Sequence, residues 1–181
     1  MSLLAKKVYR KLKEKLVEVL KGRDQLALYK GVKLGTGCRI YITDWGSEPF
    51  LISIGDNVTI TSGVKFLTHD GATCLVKNSS GVRYQKYLPI QIGDNVFIGV
   101  NTIIMPGVTI GNNVIVAAGS VVSKSVEAGS VVGGVPARNI SSFDIYASKI
   151  MKGYLANDEV PTDLNYKQKV KFMIEKQSEK K

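Results

Sequence analysis

The sequence predicts a parallel β-helix, a triangular prism of short strands, on three observations. The first is a period of six. From residue 92 an aliphatic side chain returns at Ile92, Ile98, Ile104, Ile110, Val116 and Val122, and an earlier block keeps the same step at Ile54, Ile60 and Phe66. The second is a companion position four residues on, held by Val96, Thr102, Val108, Val114, Ser120 and Val126, and earlier by Val58 and Val64. The third is turn chemistry. Gly55-Asp56-Asn57, Gly93-Asp94-Asn95 and Gly111-Asn112-Asn113 place glycine and Asx residues where turns of unusual backbone angle require them. An α-helix repeats its face every three to four residues and has no use for a step of six. Three hexapeptides make one coil, and stacked coils pair as parallel strands about 4.8 Å apart. No isolated repeat would be stable, because each coil buries its aliphatic ladder against the next.

Along the chain, residues 1–30 read as an N-terminal amphipathic helix. Leu4, Val8, Leu12, Leu16 and Val19/Leu20 fall at helical spacing with lysines on the other faces. The expected role is to pack on one end of the prism and cover the open edge of its first coil, or to make a subunit contact. Residues 31–141 carry the coils, opened by Leu34-Gly35 and Ile40 and interrupted at about 70–91 by a loop with Asn78-Ser79-Ser80-Gly81 at its tip. After Pro136 the repeat is lost. Residues 142–181 form a helical tail, with a helix expected over 162–178 and Val170, Met173 and Ile174 on one face.

A chain of 181 residues, 44% of them hydrophobic, fits one domain with short additions. No apolar run is long enough to span a membrane, and charges interrupt the N-terminus too soon for a secretory signal. Cys38 and Cys74 form neither a disulfide framework nor a metal spacing, which points to reduced thiols and a cytoplasmic setting. The net charge of +10 is concentrated: residues 1–30 hold nine Lys/Arg against three acids, while 31–142 and 143–181 each hold eight against six. That excess reads as a solvated helix face, as contact with an anionic membrane surface, or as a field drawing anionic substrates. No motif with interleaved aromatics supports nucleic-acid binding.

The one histidine, His69, stands in Phe66-Leu67-Thr68-His69-Asp70-Gly71, where the repeat stops and the inserted loop begins. A lone histidine can be structural or merely exposed, but a long loop thrown from a rigid scaffold is a common place for chemistry. Asp44 and Glu48, about one coil upstream, could reach the same edge of the prism to orient His69, bind an acceptor or solvate a turn. Asp70, adjacent in sequence, is the weaker orienting candidate. Trp45 could stack on a sugar or fill a hydrophobic gap.

The stretch from Ile92-Gly93-Asp94-Asn95-Val96-Phe97-Ile98-Gly99 through Val132-Gly133-Gly134-Val135-Pro136-Ala137-Arg138 resembles the hexapeptide-repeat acyltransferases, and residues 32–141 share the pattern. Within that family it looks closest to the maltose, galactoside and surface-polysaccharide sugar O-acetyltransferases. The resemblance implies a left-handed coil, against the usual right-handed crossover, and a homotrimer with acetyl-CoA in the groove between two prisms. It makes His69 the catalytic base and points to the backbone N–H of Gly99 or Val100 as oxyanion donor. Ala117 and Ala118 then let the pantetheine approach, and Ser123, Lys124 and Arg138 contact the coenzyme. Asp44 and Trp45 would meet the acceptor. An imidazole can take a hydroxyl proton near neutral pH, a form of assistance worth roughly 10²–10⁴-fold. Direct transfer requires no acyl-enzyme and no metal.

The expected activity is acetyl transfer to a hydroxyl of a sugar or polysaccharide precursor. N-acetylation of an amino sugar would use the same groups, and acyl groups larger than acetyl would need a wider pocket. A non-catalytic β-helix used for binding or assembly is the remaining alternative. A γ-class carbonic anhydrase is excluded, because it needs three histidine ligands and the chain has one.

Overall fold

The structure, a computed structural model, describes residues 2–179. The chain divides into two compact units at Ile140/Ser141. The first is a coil of parallel strands with three faces. One face stacks Lys33–Leu34, Ile52–Ile54, Ile90–Ile92 and Thr109–Ile110. The second stacks Arg39–Ile40, Thr59–Ile60, Phe97–Ile98, Ile115–Val116 and Ser130–Gly134, and Ala137–Ser142, joined to the last of these through Val135-Pro136 alone, is its edge strand and not a further coil. The third stacks Lys65–Phe66, Ile103–Ile104 and Val121–Val122. Register is strict: Ile60 lies beside Ile98 and Ile98 beside Val116, while Phe66, Ile104 and Val122 align on the third face.

Both positions of the hexapeptide point inward. Ile98, Ile104, Val114 and Val116 are fully buried, and the companions Thr102 and Ser120 are buried as well. Their hydroxyls are satisfied locally, since Thr102 donates to the Gly99 carbonyl at 2.7 Å and Ser120 to the Ala117 carbonyl at 2.6 Å. The Asx turns close the edge between the first and second faces. Asn57, Asn95 and Asn113 adopt φ of 55–56°, the left-handed conformation that asparagine tolerates. At this edge side chains knit coil to coil: Thr36 N donates to Asp56 Oδ1 at 2.6 Å, Asp56 N to Asp94 Oδ1 at 2.8 Å and Asp94 N to Asn112 Oδ1 at 2.8 Å.

The N-terminal region holds two helices where the sequence suggested one: α1 (Leu3–Lys21) and α2 (Arg23–Lys30), broken at Gly22 with φ 91°. The cover over the first coil is α2, whose Leu26 and Ala27 are buried. No residue of α1 is buried, so the expected packing of its apolar stripe on the prism is not seen. Physically, α2 already fills the end, and α1 meets α2 through polar side chains.

The second unit contains α3 (Phe143–Gly153), which the sequence reading missed, and α4 (Tyr166–Glu179). Ser142 caps α3 by accepting from Ile145 N at 3.3 Å. The last helix starts at Tyr166, later than the expected residue 162. Asn165 and Gln168 bond each other's backbone N–H at 2.9 and 3.1 Å, a capping box that fixes the start.

Candidate active site

His69 leaves the third face three residues after Phe66, so it sits on the edge that also carries Met105-Pro106-Gly107 and Ser123-Lys124-Ser125 one and two coils further along. The segment that follows is a hairpin-like arm. His69 bridges Tyr87 and Lys77 bridges Arg83 in antiparallel fashion, and Leu88 N donates to the Thr68 carbonyl at 2.8 Å. Asn78 closes the tip, its side chain accepting from Ser80 N and Val82 N at 3.0 Å each. The arm thus grips its base on both sides of His69, whose ring tilts against that of Tyr87 with centroids 5.9 Å apart.

Glu48 approaches from the coil beneath. Its Oε2 lies 2.9 Å from His69 Nδ1 and accepts from the Thr68 hydroxyl at 2.6 Å. The Glu48 side chain is 17% exposed and that of His69 is 43%. The Thr68 hydroxyl above all, and the His69 imidazole after it, hold the Glu48 carboxyl below the usual carboxylate range despite its partial desolvation. A carboxylate at Nδ1 fixes the tautomer with Nδ1–H donating, which leaves Nε2 as an acceptor.

The other acidic candidates point elsewhere. Asp44 pairs with Lys65 at 2.9 Å and accepts from Gly46 N at 3.1 Å, and both contacts hold its carboxyl below the ordinary range. Asp70 accepts from Ala72 N at 3.0 Å and faces Lys86 at 3.7 Å. Trp45, expected as an acceptor contact, is 1% exposed and stacks on Phe66 at 5.4 Å and 16°. It serves as the first coil's rung of the third face, because Trp45-Gly46 runs beneath Phe66 and a Cβ at Gly46 would lie 2.9 Å from the Phe66 carbonyl.

Two of the residues expected to meet the coenzyme share one hollow. Lys124 and Arg138 line a cavity of about 370 Å³ with Ser125, Glu127, Ser130 and Asn139 among its other walls. Two cations and several hydroxyl or amide groups suit the phosphates of a coenzyme, with the Glu127 carboxylate as the one opposing charge. Ser123 is exposed beside it. Gly99, Val100, Ala117 and Ala118 lie on a different edge, between the second and third faces, where Gly99 and Ala117 are in register on adjacent coils. The Gly99 N–H donates to the Val116 carbonyl at 2.8 Å and is therefore committed to the coil, so Gly99 is not a free oxyanion donor. Its value is steric: a Cβ there would overlap the backbone of Ala118. Val100, 44% exposed, has an N–H that enters no backbone bond of the coil among the described residues.

Comparison with known proteins bears on this geometry. A family described as bacterial transferase hexapeptide (six repeats) matches residues 89–124. Protein CapG of Staphylococcus aureus is 44% identical over 149 residues, covering 81% of this chain and 84% of its own length. The chain belongs to the hexapeptide-repeat transferase family. The galactoside O-acetyltransferase of Escherichia coli (strain K12) is 39% identical over 93 residues, 51% of this chain and 45% of that protein, so the match spans about half of that relative. The crystal structure of a maltose O-acetyltransferase from Clostridium difficile 630 superposes with a TM-score of 0.53 at 26% identity, over 78% of this chain and 89% of that one. The family's fold gives the coil its hand, a left-handed β-helix. As a member, the chain is an acetyltransferase.

Proposed function

We propose that this acetyltransferase moves the acetyl group of acetyl-CoA to a hydroxyl of a sugar or polysaccharide precursor, with His69 as general base. The observation that carries the reading is the Thr68–Glu48–His69 chain of hydrogen bonds on the same edge as the Lys124–Arg138 hollow. Their separation suits a donor lying along the edge: two coils amount to about 10 Å.

Glu48 holds the imidazole with Nε2 outward. His69 Nε2 takes the acceptor's hydroxyl proton as that oxygen bonds to the thioester carbonyl carbon, and the imidazolium returns the proton to the sulfur as the C–S bond breaks. The Val100 N–H is the donor offered to the negative charge growing on the carbonyl oxygen. Within one chain it sits at the opposite end of the third face from His69, since Ile103–Ile104 and Lys65–Phe66 lie between those edges. A trimer in which one copy's Val100–Ala118 edge lies along the next copy's His69–Lys124 edge would unite them. The sugar hydroxyl is supported by the galactoside and maltose O-acetyltransferases among the similar proteins. The relative named tetrahydropyridine-dicarboxylate N-acetyltransferase in Clostridium perfringens, 54% identical over 56 residues, keeps an amine acceptor as the second reading.

The test is thiol release from acetyl-CoA against a panel of glycosides and amino sugars. Turnover with hydroxyl acceptors alone supports the proposal, and turnover confined to amino sugars replaces it with the second reading. Acetyl-CoA at about 100 times its dissociation constant should also stabilise the fold by roughly 2.7 kcal/mol, read as a rise in Tm.

A further inference from the structure

The helix α1 is docked with its polar side inward. Its only residues shielded even in part are Glu14, Val17 and Glu18. Glu14 pairs with Lys30 of α2 at 3.1 Å and Glu18 with Arg23 at 3.7 Å, so the bonds to the body are ionic. The apolar stripe faces away from the body. Leu4, Val8, Leu12, Leu16, Val19 and Leu20 are between 49% and 72% exposed. A contiguous apolar strip of this kind on a folded unit marks an interaction surface.

Charge identifies the partner. At helical spacing, Lys11 and Lys15 border the stripe on one side and Lys6 and Lys13 on the other. Lys15 reaches Glu18 at 3.0 Å, and Lys13 lies 4.8 Å over the ring of Tyr9. The two acids of α1 are both on the inward side, engaged with Lys30, Arg23 and their own helix neighbours Arg10 and Lys15. The outer face therefore presents leucines rimmed by lysines and no carboxylate. A second copy of this helix would bring lysine rim against lysine rim. An anionic lipid surface satisfies both parts, taking the leucines below its headgroups and the lysines among its phosphates.

We propose that α1 lies in the interface of an anionic bilayer, holding the enzyme at a membrane surface without crossing it. No described helix is long and apolar enough to span one. This inference goes beyond the acetyl transfer proposed above and does not depend on it.

The experiment is flotation of the full chain with vesicles of phosphatidylcholine alone and of an equal phosphatidylcholine–phosphatidylglycerol mixture, with sedimentation equilibrium alongside. Expected is recovery with the mixed vesicles only, weakened by salt. The pair Lys6→Glu and Lys11→Glu should lower partitioning at least about tenfold. Leu12→Asn with Leu16→Asn should abolish it while leaving the charge intact. Circular dichroism and the acetyl-CoA-dependent rise in Tm should be unchanged in both, because these side chains are exposed. Protein that stays in the aqueous phase with both vesicles overturns the proposal, as does flotation indifferent to the leucine pair. An oligomer that the leucine pair dissociates, without vesicle binding, assigns the stripe to a second copy instead and equally overturns it.

Discussion

Two edges of the same prism use polar residues in opposite ways. On the edge between the first and second faces, each turn's carboxylate or amide accepts the backbone N–H of the coil before it, from Thr36 through Asp56 and Asp94 to Asn112. That edge is closed, because its polar groups are consumed in holding coil to coil. On the edge after the third face, Glu48, itself held by the Thr68 hydroxyl, is turned on a single side chain, His69, and the chain departs into the arm rather than into the next turn. Lys124 stands further along with no carboxylate paired to it by any ion pair among the described residues. Regularity marks what stabilises the prism, and departure from it marks what is left over for chemistry.

The sharpest way to break this contrast is His69→Ala. If the irregular edge serves chemistry, kcat falls by about 10²–10⁴-fold while Tm changes little, since the imidazole is half exposed and outside the core. Steady-state rates with a saturating acceptor and a melting curve check both halves. Near-normal turnover would remove His69 from the mechanism.

The complementary variant is Gly55→Ala on the closed edge. A Cβ there would overlap Asp94 Oδ1 and stand 2.8 Å from the backbone of Gly93, which cannot shift without disturbing the next coil. The expected cost is about 2–4 kcal/mol of stability, read from urea unfolding, with kcat retained in the protein that folds. If Gly55→Ala instead lowered kcat at full stability, the division between the edges would fail.

How far each edge was legible in the sequence follows from the same difference. The prism could be read because Ile98, Val116 and their kin recur at a fixed step, and the Asx turns because only a few residues accept their backbone angles. His69 was legible through its place at the mouth of the insertion. Glu48 was only one of two acids in a break, beside Asp44, because its meeting with His69 is set by stacking of coils 21 residues apart. Trp45 misled for the same reason. Its burial under Phe66 depends on the third face continuing down into a coil whose own repeat is irregular. Gly99 fits the motif, yet its N–H is bonded to the next coil. The orientation of α1 could not be read either, because an amphipathic pattern says that a helix has two faces and not which one meets the body.

Glu48→Gln sharpens the irregular edge itself. The amide can still accept from Thr68 but no longer offers His69 a carboxylate, so kcat should fall about 10- to 100-fold with donor KM unchanged. Acid should act in the same direction. The folded Glu48 carboxyl is depressed below its unfolded value, so the stability it contributes is fully present above the ordinary carboxylate range and is lost as pH falls through the folded value. The wild-type melting curve should therefore carry an acid-side loss that Glu48→Gln lacks. Identical acid profiles would mean that Glu48 is not held by Thr68 and His69 in solution.

The smallest effects belong to the coenzyme hollow. Lys124 and Arg138 are exposed, and an exposed cation facing a phosphate is screened by water and salt. Each alanine variant should raise the KM for acetyl-CoA by only about 3- to 10-fold, leave kcat close to wild type, and matter less as ionic strength rises. The separation of KM from kcat is what distinguishes them from His69, although Lys124 stands on the same edge as His69 and Arg138 shares its hollow. Arg138 adds a geometric test, because its guanidinium already donates to the Ala137 carbonyl at 3.1 Å and is partly oriented before any ligand arrives. Arg138→Lys keeps the charge and loses that planar donor. If charge alone matters, Arg138→Lys will match wild type. If orientation matters, it will behave like Arg138→Ala, and the difference will persist at high salt, where the purely electrostatic effect of Lys124→Ala has faded.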